Sequence, residues 1–120
     1  MSVIYQTTII EVGSSANDAL LDDMMITFKQ GAPADIVEFC FIHSHSEDCG
    51  ELTVGSTLQL GNQDYPITAV GEVATQNLRE LGHITIRFDG APDAEFPGCI
   101  HVNGSTPKHI AVGTELKIIK

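Results

Sequence analysis

Basic residues are scarce in this chain: six Lys and Arg stand against sixteen Asp and Glu, a formal charge of −10. That balance excludes a nucleic-acid binder, whose non-specific affinity needs clustered cations. It also sets the chain against anionic membrane surfaces and favours cationic protein partners met in steered, transient encounters. Cysteines are few and scattered, at Cys40, Cys49 and Cys99. An odd number without regular spacing excludes a disulfide framework and predicts a reducing, cytoplasmic location. No apolar run approaches the ~18 residues of a membrane span. The N-terminus lacks the basic flank and apolar core of a secretory signal.

What is present is an ordinary globular mixture, 42% apolar and 18% charged. A chain of this length is expected to form one domain over residues 1–120, burying roughly two thirds of its unfolded surface. Most of it reads as short strands. Val3 to Val12 is rich in Ile, Val, Thr and Tyr, which suit a pleated surface. Met24 to Phe28 follows, broken by Gly31-Ala32-Pro33. Thr57 to Leu60 and Tyr65 to Val70 flank a turn at Gly61-Asn62-Gln63-Asp64. His83 to Phe88 alternates, with Ile84, Ile86 and Phe88 inward. Gly98 to Asn103 and Glu115 to Ile119 complete the set.

Two segments read as helical. Ser15 to about Leu21 starts on a possible cap, with Asp18 three residues on. Glu72 to Leu81 places Ala74, Leu78 and Leu81 on one face, and Gly82 suits its end. The pattern predicts a mainly β fold, a small barrel or sandwich with one or two short helices.

The chemistry concentrates in Phe39-Cys40-Phe41-Ile42-His43-Ser44-His45-Ser46-Glu47-Asp48. Read as a strand entering an acidic loop, it sets Phe39, Phe41, His43 and His45 on one side, the two imidazoles meeting water. Cys40 then points the opposite way, as a small core residue. Imidazole is both a metal ligand and a nucleophile near neutral pH. As metal ligands, His43 and His45 need one or two more donors from Glu47, Cys49, Glu51 or the distant His101. With Pro97-Gly98-Cys99-Ile100-His101, the pair partly echoes the cupin metal-binding barrel enzymes. Glu51 comes too late, however, and Pro97 and Gly98 are adjacent where that pattern separates them. As a nucleophile, an exposed His43 would hold a phosphoryl group, with His45 and Ser46 donating hydrogen bonds and Phe41 in an apolar rim.

Longer blocks carry a resemblance. Val3-Ile4-Tyr5-Gln6-Thr7-Thr8-Ile9, Ile26-Thr27-Phe28 through Asp35, Cys40-Phe41-Ile42-His43 with His45, and Tyr65-Pro66 through Gly71 occur in order. They are followed by Asn77-Leu78-Arg79-Glu80-Leu81-Gly82-His83, Arg87-Phe88-Asp89-Gly90 and Ala94-Glu95-Phe96-Pro97-Gly98. Together they resemble the glucitol/sorbitol-specific IIA components of the bacterial sugar phosphotransferase system. The resemblance implies a closed β-barrel of complex topology and a phosphotransferase that forms a phosphohistidine intermediate at His43, with His45 supporting. It implies the histidine-containing general phosphocarrier protein as donor and a cysteine of the sugar-specific IIB domain as acceptor. Sugar binding would belong to the IIB/IIC membrane components, touched only peripherally, and no metal or organic cofactor would be needed. Asp48-Cys49 departs from the pattern and bears on the loop length after His45.

The remaining candidates read as structural. Cys49 and Cys99 carry no assigned role. His83, His101 and His109 are expected in structural or solvent-facing places, with His101 able to meet His43 if their strands adjoin. Arg79 and Arg87 are the only arginines. They read as a helix-surface charge paired with Glu80 and a strand charge facing water, with phosphoryl binding as the alternative. Glu80 and Asp89 show no acid–base partner at a useful spacing.

Overall fold

Alternation of Tyr5, Thr7 and Ile9 on the inner face organises the first and longest strand, β1 (Val3–Val12). The computed structural model describes residues 2–46 and 48–120. Among these, seven further strands follow: β2 (Met24–Lys29), β3 (Phe41–His43), β4 (Thr57–Leu60), β5 (Gln63–Val70), β6 (Ile84–Arg87), β7 (Cys99–Val102) and β8 (Glu115–Ile119). One α-helix, α1 (Ala74–Leu81), and short 3-10 turns at Asn17–Asp22 and Val37–Phe39 complete the chain.

The strands close into a barrel in the order β1-β3-β2-β6-β7-β5-β4-β8. β1 closes it by pairing with β3 through its later half and with β8 through its earlier half, and each pairing carries a register shift. Such shifts bend a strand enough to serve two neighbours. Two pairs, β2 with β3 and β6 with β7, are parallel; the rest are antiparallel. Their inward side chains, among them Tyr5, Ile9, Phe41, Leu58, Ile86 and Ile100, fill the interior. This is the mainly β fold that the strand pattern predicts, closed into a barrel as the family resemblance implies.

Local departures have identifiable causes. Ser15 does not cap a helix; its hydroxyl donates to Glu38, and a 3-10 turn begins at Asn17. Gln63 and Asp64 belong to β5 because Gly61, at φ 57°, lets the chain reverse early. Phe39 is not on the histidine strand: it ends a 3-10 turn and is 48% exposed. β3 is only three residues long, and all three are buried.

Candidate active site

His43 is the last residue of β3, between Ile9 of β1 and Lys29 of β2. The sequence reading places its ring at a water-facing rim. The structure corrects this, since His43 is 1% exposed. The cause is tertiary: the end of α1 folds over the strand. Gly82, in the left-handed conformation at the helix C-terminus, brings its carbonyl 2.7 Å from His43 Nε2. A Cβ at Gly82 would lie 2.6 Å from His43 Cε1. Only glycine allows this approach.

The other ring nitrogen faces inward. The His45 backbone N–H donates to His43 Nδ1 at 3.1 Å and to Thr7 Oγ1 at 2.7 Å. Thr7 Oγ1 is 3.0 Å from His43 Nδ1. A backbone N–H is only a donor, so Nδ1 is the bare acceptor and Nε2 carries the proton given to Gly82. The ring is neutral in this arrangement. Burial, opposed by the Gly82 hydrogen bond and reinforced by His45, pushes its pKa below the ordinary 6.5.

A pH dependence of folding follows. The unfolded chain takes up a proton at His43 near 6.5 while the folded chain resists it, so folding loses stability as the pH drops below that value. A thermal-melt series should show the slope, and His43→Gln should flatten it. Above 6.5 the two proteins should show parallel pH dependence.

His45 does meet His43, with ring centroids 5.8 Å apart, but not through strand alternation. The chain leaves the strand and His45 adopts φ 62°. For a non-glycine residue this conformation costs about 1–2 kcal/mol. Both ring nitrogens hold it there. Burial, above all, keeps the Tyr5 phenol protonated well above its usual range, so its O–H donates to His45 Nδ1 at 2.8 Å. His45 Nε2–H then donates to the Arg79 carbonyl at 3.0 Å.

The C-terminal carbonyls of α1 thus converge on this corner. Glu80 accepts from Lys29 Nζ at 3.1 Å, while Gly82 also accepts from the buried Thr27 hydroxyl at 3.0 Å. Arg79 lies on the exposed helix surface as expected but does not pair with Glu80; its guanidinium donates twice to the Cys49 carbonyl, tying the loop after His45 to the helix.

The other candidates lie elsewhere. His101 does not approach His43. Its buried ring donates through Nδ1–H to Asp89 at 2.7 Å and accepts the Glu95 N–H at Nε2. Asp89 therefore has the partner that its sequence spacing hides. His83 donates to the Thr27 carbonyl, His109 is exposed, and Arg87 pairs with Glu95 at 3.4 Å. Cys40 and Cys99 are buried and Cys49 is half-buried. Glu47 lies outside the described residues. Among the described residues, no three His, Cys, Asp or Glu side chains converge on one point. With His43 and His101 each bonded through both nitrogens to separate protein groups, the cupin-like ligand set is not assembled.

Thr7, Tyr5, Lys29 and Gly82 are the site residues that the sequence does not single out. Thr7 leaves one readable sign, a polar residue between Tyr5 and Ile9 at an inward position. Its partner, 36 residues away, leaves none.

Comparison with known proteins bears on the family and the fold. Residues 4–117 match the family described as the PTS system glucitol/sorbitol-specific IIA component. The chain is 60% identical over 117 residues to the glucitol/sorbitol-specific EIIA components of Shigella flexneri and Escherichia coli K12, covering 98% of this chain and 95% of each relative. The crystal structure of a PTS system IIA component from Enterococcus faecalis V583 superposes with a TM-score of 0.84 at 27% identity, covering 96% of this chain and 99% of that one. Sequence, barrel and coverage converge: this chain belongs to the glucitol/sorbitol-specific IIA components of the sugar phosphotransferase system.

Proposed function

We propose that His43 is the phosphoryl carrier, taking the group from the general phosphocarrier protein and handing it to a cysteine of the sugar-specific IIB domain. The observation that supports it most is a neutral imidazole at the end of a paired strand, its Nε2–H given to the peptide carbonyl of the glycine that ends α1. Nε2 is the nitrogen to receive the group, because Nδ1 faces Thr7 and the His45 backbone inside the barrel wall. A shift of the Gly82 peptide uncovers Nε2 and leaves β3 in place.

Phosphoryl transfer asks the protein mainly for positioning and for charge to meet the phosphoryl oxygens. Two donors stand at the site: Lys29 Nζ and His45 Nε2–H, each held by a carbonyl at the end of α1. When that end shifts, both are free to turn from carbonyl oxygen to phosphoryl oxygen. The same helix end brings carbonyl oxygens toward the ring and disfavours a phosphate while closed. Opening and acceptance are therefore one event. In this reading the chain works in the cytoplasm, with the membrane components as its only membrane contact.

The test is a reconstituted relay. Incubated with phosphoenolpyruvate, the first enzyme of the pathway and the phosphocarrier, the chain should gain one acid-labile phosphate and lose it to a sorbitol-specific IIB domain. A chain that takes up no phosphate contradicts the proposal.

A further inference from the structure

The Thr7 hydroxyl stands at the centre of the His43 environment. It is buried, accepts the His45 N–H at 2.7 Å, and lies 3.0 Å from His43 Nδ1 and 3.2 Å from Ser44 Oγ. Ser44 is exposed to solvent. One hydroxyl thus joins the inward nitrogen of a buried imidazole to a second hydroxyl that water reaches.

The tautomer that the hydrogen bonds require is wrong for attack. With the proton on Nε2, the lone pair sits on Nδ1, against the barrel wall. A phosphoryl group arriving through the Gly82 side needs the lone pair on Nε2 and the proton on Nδ1. Of the groups around Nδ1, the His45 amide can only donate. Thr7 Oγ1 can do both.

We propose that Thr7 is the positioning residue that switches His43 between tautomers, with Ser44 as its link to water; this rests on His43 being the phosphoryl acceptor. At rest the Thr7 O–H donates to Nδ1, and Ser44 O–H donates to Thr7. On opening, Nε2 gives its proton to water. Thr7 passes its proton to Nδ1 and takes that of Ser44, which is replenished from water. Thr7 then accepts from Nδ1–H and from the His45 amide, using both lone pairs, and donates to Ser44. The Nε2 pair forms the N–P bond, and the donor's P–N bond breaks with its electron pair returning to the donor imidazole. The net change is one proton moved from Nε2 to Nδ1 through water and one phosphoryl group gained.

The experiment compares Thr7→Val, nearly the same shape without the hydroxyl, with Thr7→Ser, which keeps it. Phosphorylation by the phosphocarrier should slow on the order of tenfold in Thr7→Val, the worth of about one hydrogen bond, and recover in Thr7→Ser. Nitrogen NMR of labelled histidine in the wild-type protein gives an arm that no variant can spoil by misfolding. His43 should be protonated on Nε2 at rest and on Nδ1 once phosphorylated, and folded Thr7→Val should lose the Nδ1 proton at a lower pH. A bare Nδ1 in the phosphorylated wild type overturns the inference, as does a Thr7→Val rate equal to wild type or a Thr7→Ser rate no better than Thr7→Val. If the phosphate is not on His43 at all, it is the carrier assignment that fails, a result separable from these.

Discussion

His43→Gln should reduce phosphate uptake from the phosphocarrier to background while leaving the barrel folded. The side-chain amide of glutamine can still donate toward the Gly82 carbonyl and accept from the His45 amide, so the two buried groups that His43 satisfies keep partners. Alanine would instead leave a cavity where the ring stands, at a cost that grows with its volume. Glutamine is chosen over alanine for that reason, since loss of transfer cannot then be blamed on a collapsed site. What glutamine cannot do is attack phosphorus and release it again. His45→Asn is the companion, because asparagine tolerates the left-handed backbone that His45 occupies at φ 62°. It removes the donor on Arg79 and the acceptor for Tyr5, so transfer should slow without vanishing. Equal, complete loss in both variants would contradict a carrier at His43 with support from His45.

The second large effect is expected at Gly82. Alanine there would place a Cβ 2.6 Å from His43 Cε1, 2.7 Å from Nε2 and 3.0 Å from the Lys29 Cβ. The ring has nowhere to retreat, because its inner side is held by Thr7 and the His45 amide. The helix end must move instead, at a backbone φ of 60° that already disfavours a side chain. Backbone strain of about 1–2 kcal/mol joins an overpacking cost of about 1–3 kcal/mol. Gly82→Ala should therefore lower stability by roughly 2–5 kcal/mol in chemical denaturation. It should also part Nε2 from its carbonyl, which hydrogen exchange at the His43 ring would report. Gly55→Ala is the control: its φ is also positive, at 96°, but a Cβ there meets nothing within 4 Å. It should show the backbone cost alone and normal transfer. Equal losses in the two variants would mean that the approach to His43 is not what Gly82 serves.

Much of the barrel is legible in the chain because its strands state their own periods. Val3 to Val12 and Glu115 to Ile119 occupy the spans their composition predicts, and α1 stops at Gly82 as the helix-end rule requires. The site is less legible, for a physical reason. His43 and His45 read as exposed strand neighbours because the sequence shows only residues i and i+2. What buries His43 is a carbonyl 39 positions later, and what brings His45 beside it is a reversal of φ at an ordinary-looking residue. Thr7 and Tyr5 reach the imidazoles through the β1–β3 register, which includes a shift between Ile9 and Glu11 that no local pattern announces. Asp89 and His101 are likewise twelve residues apart and joined only by the turn after β6. The histidine pair was readable in the sequence, whereas its environment was not. That difference shapes the proposal, because an exposed imidazole would call for neither a gate nor a tautomer switch.

The most direct test of the account is to locate the phosphate. The protein should be phosphorylated through phosphoenolpyruvate, the first enzyme and the phosphocarrier, kept alkaline to preserve the P–N bond, and mapped by fragmentation and phosphorus–nitrogen NMR. A single phosphate is expected on His43, bonded through Nε2. A phosphate found on His45, on Nδ1 of His43, or on no histidine would contradict it.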